Sequence, residues 1–277
     1  MGNRYKALAL DLDGTLTNSK KEITPKTKEA IRRAIAEGVK VILASGRPVL
    51  GIERLAKELE LYQDGGYILA YNGGHIIECH TGKTVSQKLI DPKYYHEICE
   101  CGQKFDVTVL TYDEVGVIAE DDQAKYVQKE AFNNTIPIRR VENLEAAVKG
   151  EITKFMVVGE PDELKKALEY MQEKFKGILN VFLSEPYFME VTPLGIEKAS
   201  ALQTLLDYLG LTRDDLMAIG DGLNDIPMLK FAGLSIAMEN AYEETKQYAD
   251  DVTLSNDEDG VAAAVEKYIL SGGKTEC

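Results

Sequence analysis

The chain has no tryptophan, three histidines and four cysteines in 277 residues. The cysteines, Cys79, Cys99, Cys101 and Cys277, lack the spacing of a disulfide framework or a zinc site, so reduced thiols are expected. His75, His80 and His96 show no metal-ligand spacing and read as structural or surface groups. No apolar stretch approaches the length of a membrane span. A signal-peptide core is missing too, because Arg4 and Lys6 lead directly into the first apolar run. Lys6 also breaks the myristoylation pattern that Gly2 would begin. Positive charge is in the minority, 32 Lys and Arg against 46 Asp and Glu, for a formal charge of −14. So acidic a chain has no general attraction for nucleic acid or anionic lipid. A cytoplasmic protein is expected, with neither nucleic acid nor membrane among its partners.

What the chain does have is a set of apolar runs that end in polar residues and glycine. Ala7 to Leu10 drives straight into Asp11 and Asp13, with Gly14 and Thr15 next. A short apolar run stopped by a glycine turn reads as a buried strand of a parallel sheet. Ligands of open α/β sheets bind outside the carboxyl ends of the strands. Asp11 then lies at a strand tip and Asp13 in the loop beyond. Two carboxylates there are poorly placed for stability, and a divalent cation would remove the objection. A carboxylate so neutralised can act as a nucleophile, with its neighbour as acid and base. A solvated turn after the strand is the plain alternative.

Further along, Thr24 and Pro25 cap a helix stopped by Gly38, and Val39 to Ala44 forms a second strand ending in Ser45-Gly46-Arg47. The hydroxyl and backbone N–H groups there suit a phosphate, or serve only as a helix cap. Asn72-Gly73 between two apolar runs predicts a hairpin. Residues 84–192 have a different texture, with the order helix, strand, strand repeated. They read as a second α/β unit inserted into the first, its helices on one face of an antiparallel sheet. After Pro193 the first texture returns, with Lys198 opening a helix and Leu216 to Ile219 ending in Gly220-Asp221-Gly222-Leu223-Asn224-Asp225. Strand tips of one parallel sheet converge, so carboxylates, a hydroxyl and a lysine meet at one crevice. Oxygen donors suit a hard cation such as Mg²⁺, and lysine suits a phosphate.

With Asp11-Leu-Asp-Gly-Thr15, Ser45-Gly-Arg47, Lys198 and Gly220-Asp-Gly-Leu-Asn-Asp225 in this order, the chain resembles the haloacid dehalogenase superfamily. Within it, the similarity is to the Cof-type phosphatases with a large α/β cap, and it extends to Asn72-Gly73-Gly74 and to Asn256-Asp-Glu-Asp-Gly-Val261. Gly195-Ile-Glu-Lys198 departs from the pattern, since many relatives carry Ser or Asn before the lysine. The resemblance implies a Rossmann-like doubly wound parallel-sheet core, residues 1–83 and 193–277, with an inserted α/β cap at 84–192 that sets specificity. It implies that Asp11 attacks phosphorus and that Asp13 serves as acid, then base. Ser45, Lys198 and Asn224 would bind phosphate oxygens. Mg²⁺ would be held by Asp11, the Asp13 carbonyl and Asp221, with Asp225 supporting that shell. The reaction expected is hydrolysis of a small phosphorylated metabolite, such as a sugar phosphate, through an aspartyl-phosphate. A phosphomutase on the same scaffold and a non-catalytic metabolite-binding protein are the alternatives.

Overall fold

A computed structural model of the chain describes residues 4–148 and 150–271. They form two compact units: residues 4–46, 52–86 and 197–271 make the first, and residues 47–51 and 87–196 the second.

The first unit is built on an eight-stranded sheet. Its strands are β1 (Ala7–Leu10), β2 (Lys40–Ala44), β3 (Tyr67–Ala70), β4 (His75–Glu78), β5 (Thr84–Gln87), β12 (Leu216–Gly220), β13 (Leu234–Ala237) and β14 (Asp251–Val252). The spatial order is β14-β13-β12-β1-β2-β3-β4-β5. From β14 to β3 neighbouring strands pair in parallel, and β4 turns back antiparallel on β3. Every residue of β1, β3 and β12 is buried, which is why these strands read as unbroken apolar runs rather than alternating ones. One sheet face packs against the helix Lys198–Leu209 through Ala201, Leu202, Leu205 and Leu206. Burying a leucine there contributes roughly 1.5–3 kcal/mol.

The chain runs from β1 through β2 to β3 on one side and returns through β12, β13 and β14 on the other. The strand order therefore reverses between β1 and β12, and in such sheets the crevice beyond that reversal is the ligand site.

The second unit carries a six-stranded sheet. Its strands are β6 (Thr108–Tyr112), β7 (Val117–Ala119), β8 (Ile138–Arg140), β9 (Phe155–Val158), β10 (Leu179–Glu185) and β11 (Phe188–Pro193). Their order is β10-β11-β9-β6-β7-β8. One face carries Val109, Phe155, Val157, Met189 and Val191, packed against Ile98 and Cys101 of helix Tyr95–Lys104 and Leu164, Ala167 and Met171 of helix Pro161–Lys174.

Two sequence expectations need correction here. The sheet is not wholly antiparallel, because β7 pairs with β8 in parallel. A parallel pair needs a crossover, and the helix Lys125–Asn134 supplies it. Nor do all helices share one face. Alternation along β6 puts Tyr112 opposite Val109, and the Tyr112 hydroxyl donates to Glu130 of that crossover helix at 2.6 Å.

Among the described residues no helix is long and apolar enough to cross a membrane. Cys79, Cys99 and Cys101 are free thiols, and Cys277 lies outside the described residues. Burial pushes Cys79 and Cys99 up to about 12 and Cys101 up to about 11, which disfavours the thiolate form of all three. The histidines bond to Thr84, to the Tyr62 carbonyl and to Glu145, and none belongs to the acidic cluster found among the described residues.

Candidate active site

Asp11 directly follows β1, and its N–H extends the ladder to Ile219 O at 3.1 Å. Beyond it the chain closes a tight turn, with Leu16 N–H on Asp11 O and both the N–H and the hydroxyl of Thr17 on Leu12 O. Gly14 makes the turn possible. Its φ is +87°, and a Cβ there would sit 2.3 Å from Asp221 Oδ2. The backbone at Gly14 thus comes against the carboxylate that follows β12, and only glycine permits both the conformation and the approach. Thr15, next in line, donates its hydroxyl to Asp221 Oδ1 at 2.6 Å.

Lys198 is 1% exposed at the start of its helix. Its ammonium meets Asp11 Oδ1 at 2.5 Å and Asp225 Oδ1 at 2.6 Å. The other oxygen of Asp225 accepts the N–H groups of Asp221 and Gly222 at 3.0 and 2.8 Å. Asp225 is thereby committed on both sides, holding the lysine with one oxygen and folding the Asp221 loop with the other. Burial, with Asp225 beside it, pushes the Asp11 carboxyl well above the usual carboxylate range, against the pull of Lys198. Burial likewise pushes Asp221 up to about 6, against the Thr15 hydroxyl bond. Burial opposes the charge on Lys198, yet Asp11 and Asp225 outweigh it and raise the lysine above its ordinary value.

Carboxylate oxygens of Asp11, Asp221 and Asp225 lie within 4.8 Å of one another. More negative than positive charge is thus gathered at the strand reversal. The donors are all hard oxygens, with no histidine or cysteine, which fits Mg²⁺ better than a transition metal. Because Asp225 is committed elsewhere, Asp11 and Asp221 are the carboxylates suited to ligate it. The Asp13 carboxylate is not one of these three, though its charge acts on Asp221. It is partly exposed and pairs with Lys21 Nζ at 2.6 Å.

Ser45, 3% exposed, follows β2, the strand beside β1. Its carbonyl accepts the Asn72 N–H at 2.8 Å. Asn224, exposed beside Asp225, donates from Nδ2 to Asn72 Oδ1 at 3.1 Å. Asn72 is thus a link the sequence reading did not assign to the site. Thr15 was also missed, although a hydroxyl straight after Gly14 was its signal. Asn240 and Asn256 steady the first loop through Gly14 O at 2.8 Å and Thr17 O at 2.9 Å, and nothing local in the sequence marks Asn240 for this.

A sequence-family profile described as haloacid dehalogenase-like hydrolase matches residues 8–265. A 5-amino-6-(5-phospho-D-ribitylamino)uracil phosphatase of Bacillus subtilis, YcsE, is 33% identical over 266 residues, covering 96% of this chain and 96% of its own length. The crystal structure of a haloacid dehalogenase-like hydrolase from Bacteroides thetaiotaomicron superposes with a TM-score of 0.93 at 44% identity, over 95% of this chain and 98% of that one. The HAD subclass IIB sugar phosphatase BT4131 gives 0.76 at 26% identity, over 94% of this chain and 98% of that one.

Proposed function

The chain belongs to the haloacid dehalogenase-like hydrolases and is a phosphatase; we propose that it hydrolyses small organic phosphate monoesters, sugar phosphates or related metabolites, with Mg²⁺ as its cation. The observation that carries this reading is the buried Lys198 held between Asp11 and Asp225, with Asp221 alongside, at the β1/β12 reversal.

In this reading Asp11 forms a bond to phosphorus as the ester oxygen departs. Asp13 gives that oxygen a proton, then takes one from the water that cleaves the aspartyl-phosphate. Lys198, Ser45 and Asn224 hold phosphoryl oxygens, and Asp225 keeps the Lys198 ammonium from swinging away. Asp11, Asp221 and the Asp13 carbonyl would hold Mg²⁺, which when bound offsets charge on the phosphoryl oxygens and on the carboxylates. Catalysis of this kind rests on placement and charge stabilisation. The proposal takes support from the sugar-phosphate and ribityl-phosphate chemistry named for BT4131 and YcsE.

The test is a panel of phosphorylated metabolites assayed for free phosphate. Chelation with EDTA is expected to stop release and added Mg²⁺ to restore it. Asp221→Ala should raise the Mg²⁺ needed for half-maximal rate by roughly tenfold or more. Undiminished turnover in chelator would rule out the metal assignment, and transfer of phosphate within the sugar without release would favour the mutase.

The inserted segment, residues 84–192, is the part we assign to substrate choice. Exchanging it for that of a relative with a different substrate should move the substrate ranking and keep hydrolysis dependent on Asp11. An unchanged ranking in a folded chimera would return specificity to the first unit.

A further inference from the structure

The loop joining β3 to β4 is more strained than a hairpin requires. A two-residue Asn-Gly turn reverses a chain cheaply. Here three consecutive residues take left-handed backbone, Tyr71 (φ 54°), Asn72 (φ 56°) and Gly73 (φ 95°). Asparagine tolerates that region and glycine is at home in it, but for a tyrosine it is a true outlier. Such strain persists where the surroundings enforce it, and it gathers at functional sites.

What the strain achieves can be read from the contacts. The Asn72 N–H reaches Ser45 O at 2.8 Å, fixing the end of β2 where the Ser45 hydroxyl is carried. Asn72 Oδ1 accepts the Asn224 carboxamide at 3.1 Å. The Asn72 amide also lies against the turn after Ser45, where a Cβ on Gly46 would stand 3.1 Å from Nδ2. Gly73 lies against the first turn of the Lys198 helix. A Cβ on it would be 2.3 Å from the Ala201 Cβ and 3.1 Å from Glu197 O. One short loop thus touches all three elements that carry Ser45, Asn224 and Lys198.

We propose that Asn72 is a positioning residue of the phosphate site, acting through Ser45 and Asn224. It sets their spacing and turns the Asn224 carboxamide so that its remaining N–H faces the phosphoryl group. The inference rests on the reading that Ser45, Lys198 and Asn224 bind phosphate.

The experiment compares the full chain with its Asn72→Gly, Asn72→Ala, Ser45→Ala and Asn224→Ala variants. The readouts are KM and kcat for p-nitrophenyl phosphate with Mg²⁺, the inhibition constant of orthophosphate, and Tm. Asn72→Gly keeps a residue at ease with positive φ while deleting the carboxamide. It is expected to raise KM and the orthophosphate constant together, each by about tenfold, with Tm within a few degrees of the parent. Asn72→Ala should show the same rise with a lower Tm, because alanine resists the left-handed backbone. In an Asn224→Ala background, Asn72→Gly should change orthophosphate inhibition much less than it does alone, since the two act as a unit. If Asn72→Gly leaves both constants at parental values while Ser45→Ala and Asn224→Ala raise them, the phosphate-site reading stands and this inference falls. A collapse in the Tm of Asn72→Gly overturns it as well, by making the residue a structural one. If Ser45→Ala and Asn224→Ala also leave orthophosphate inhibition untouched, the phosphate-site reading itself fails and takes the inference with it.

Discussion

Replacing Asp11 with Asn should lower phosphate release by roughly 10⁴-fold or more and leave the fold in place. The exchange keeps size and shape and removes only the attacking carboxylate. Lys198 retains its bond to Asp225 at 2.6 Å, and an amide oxygen at position 11 can still accept from the ammonium. Orthophosphate should therefore inhibit or bind the variant about as it does the parent, because the side chains assigned to the phosphoryl group are untouched. The checks are single-turnover phosphate release, orthophosphate binding by calorimetry, and the urea midpoint. Release at the parental rate would remove Asp11 as the nucleophile and the aspartyl-phosphate with it. Loss of folding would instead show that the Asp11–Lys198 pair is needed to hold the two halves of the sheet's crevice together.

The largest effect on stability is expected from Lys198→Met. Lysine and methionine have similar stems, so packing along the helix changes little. The ammonium, however, is the one cation between Asp11 and Asp225 among the described contacts, and its side chain is wholly buried. Breaking a buried pair leaves an uncompensated charge and costs about 3–5 kcal/mol. Here two carboxylates are left facing one another. In urea the midpoint should fall with little change in slope, as fits a stability loss without altered compactness. If Mg²⁺ binds Asp11 and Asp221, millimolar Mg²⁺ should recover part of the loss by binding the folded state alone. Phosphate release should be lost at any Mg²⁺ concentration. A midpoint within experimental scatter of the parent would mean that the carboxylates are neutral in the folded protein and that the ion pair contributes nothing.

Much of this site was legible in the linear chain because its signals are local. An apolar run that stops at a carboxylate and a glycine states a buried strand and its tip. Each of Asp11, Ser45 and Asp221 announces itself in that way, and parallel pairing then carries the tips to one edge. Asp225 is local as well, four residues beyond Asp221, close enough to fold back on its loop. The same reasoning failed for the second unit, where β7 and β8 are too short and too evenly apolar or charged to declare a direction. Whether a pair runs parallel is settled by where the Lys125–Asn134 helix crosses, and periodicity within a three-residue strand carries no trace of that.

The sequence by itself determined which residues stand at strand tips, that the site is built from oxygen donors and one lysine, and that a second α/β unit interrupts the first. Those follow from hydrophobic period, turn residues and composition, all properties of neighbours along the chain. Only the tertiary structure decided how the groups are shared. It commits both oxygens of Asp225, one to Lys198 and the other to the backbone of the Asp221 loop. It pairs the Asp13 carboxylate with Lys21. It also inserts Asn72 between Ser45 and Asn224, a contact that spans 152 positions of chain. A carboxylate has two oxygens and each hydrogen bond uses one direction, so partnership is a competition in space. The chain names the competitors, and the packing of β1, β2, β12 and the Lys198 helix decides which of them meet.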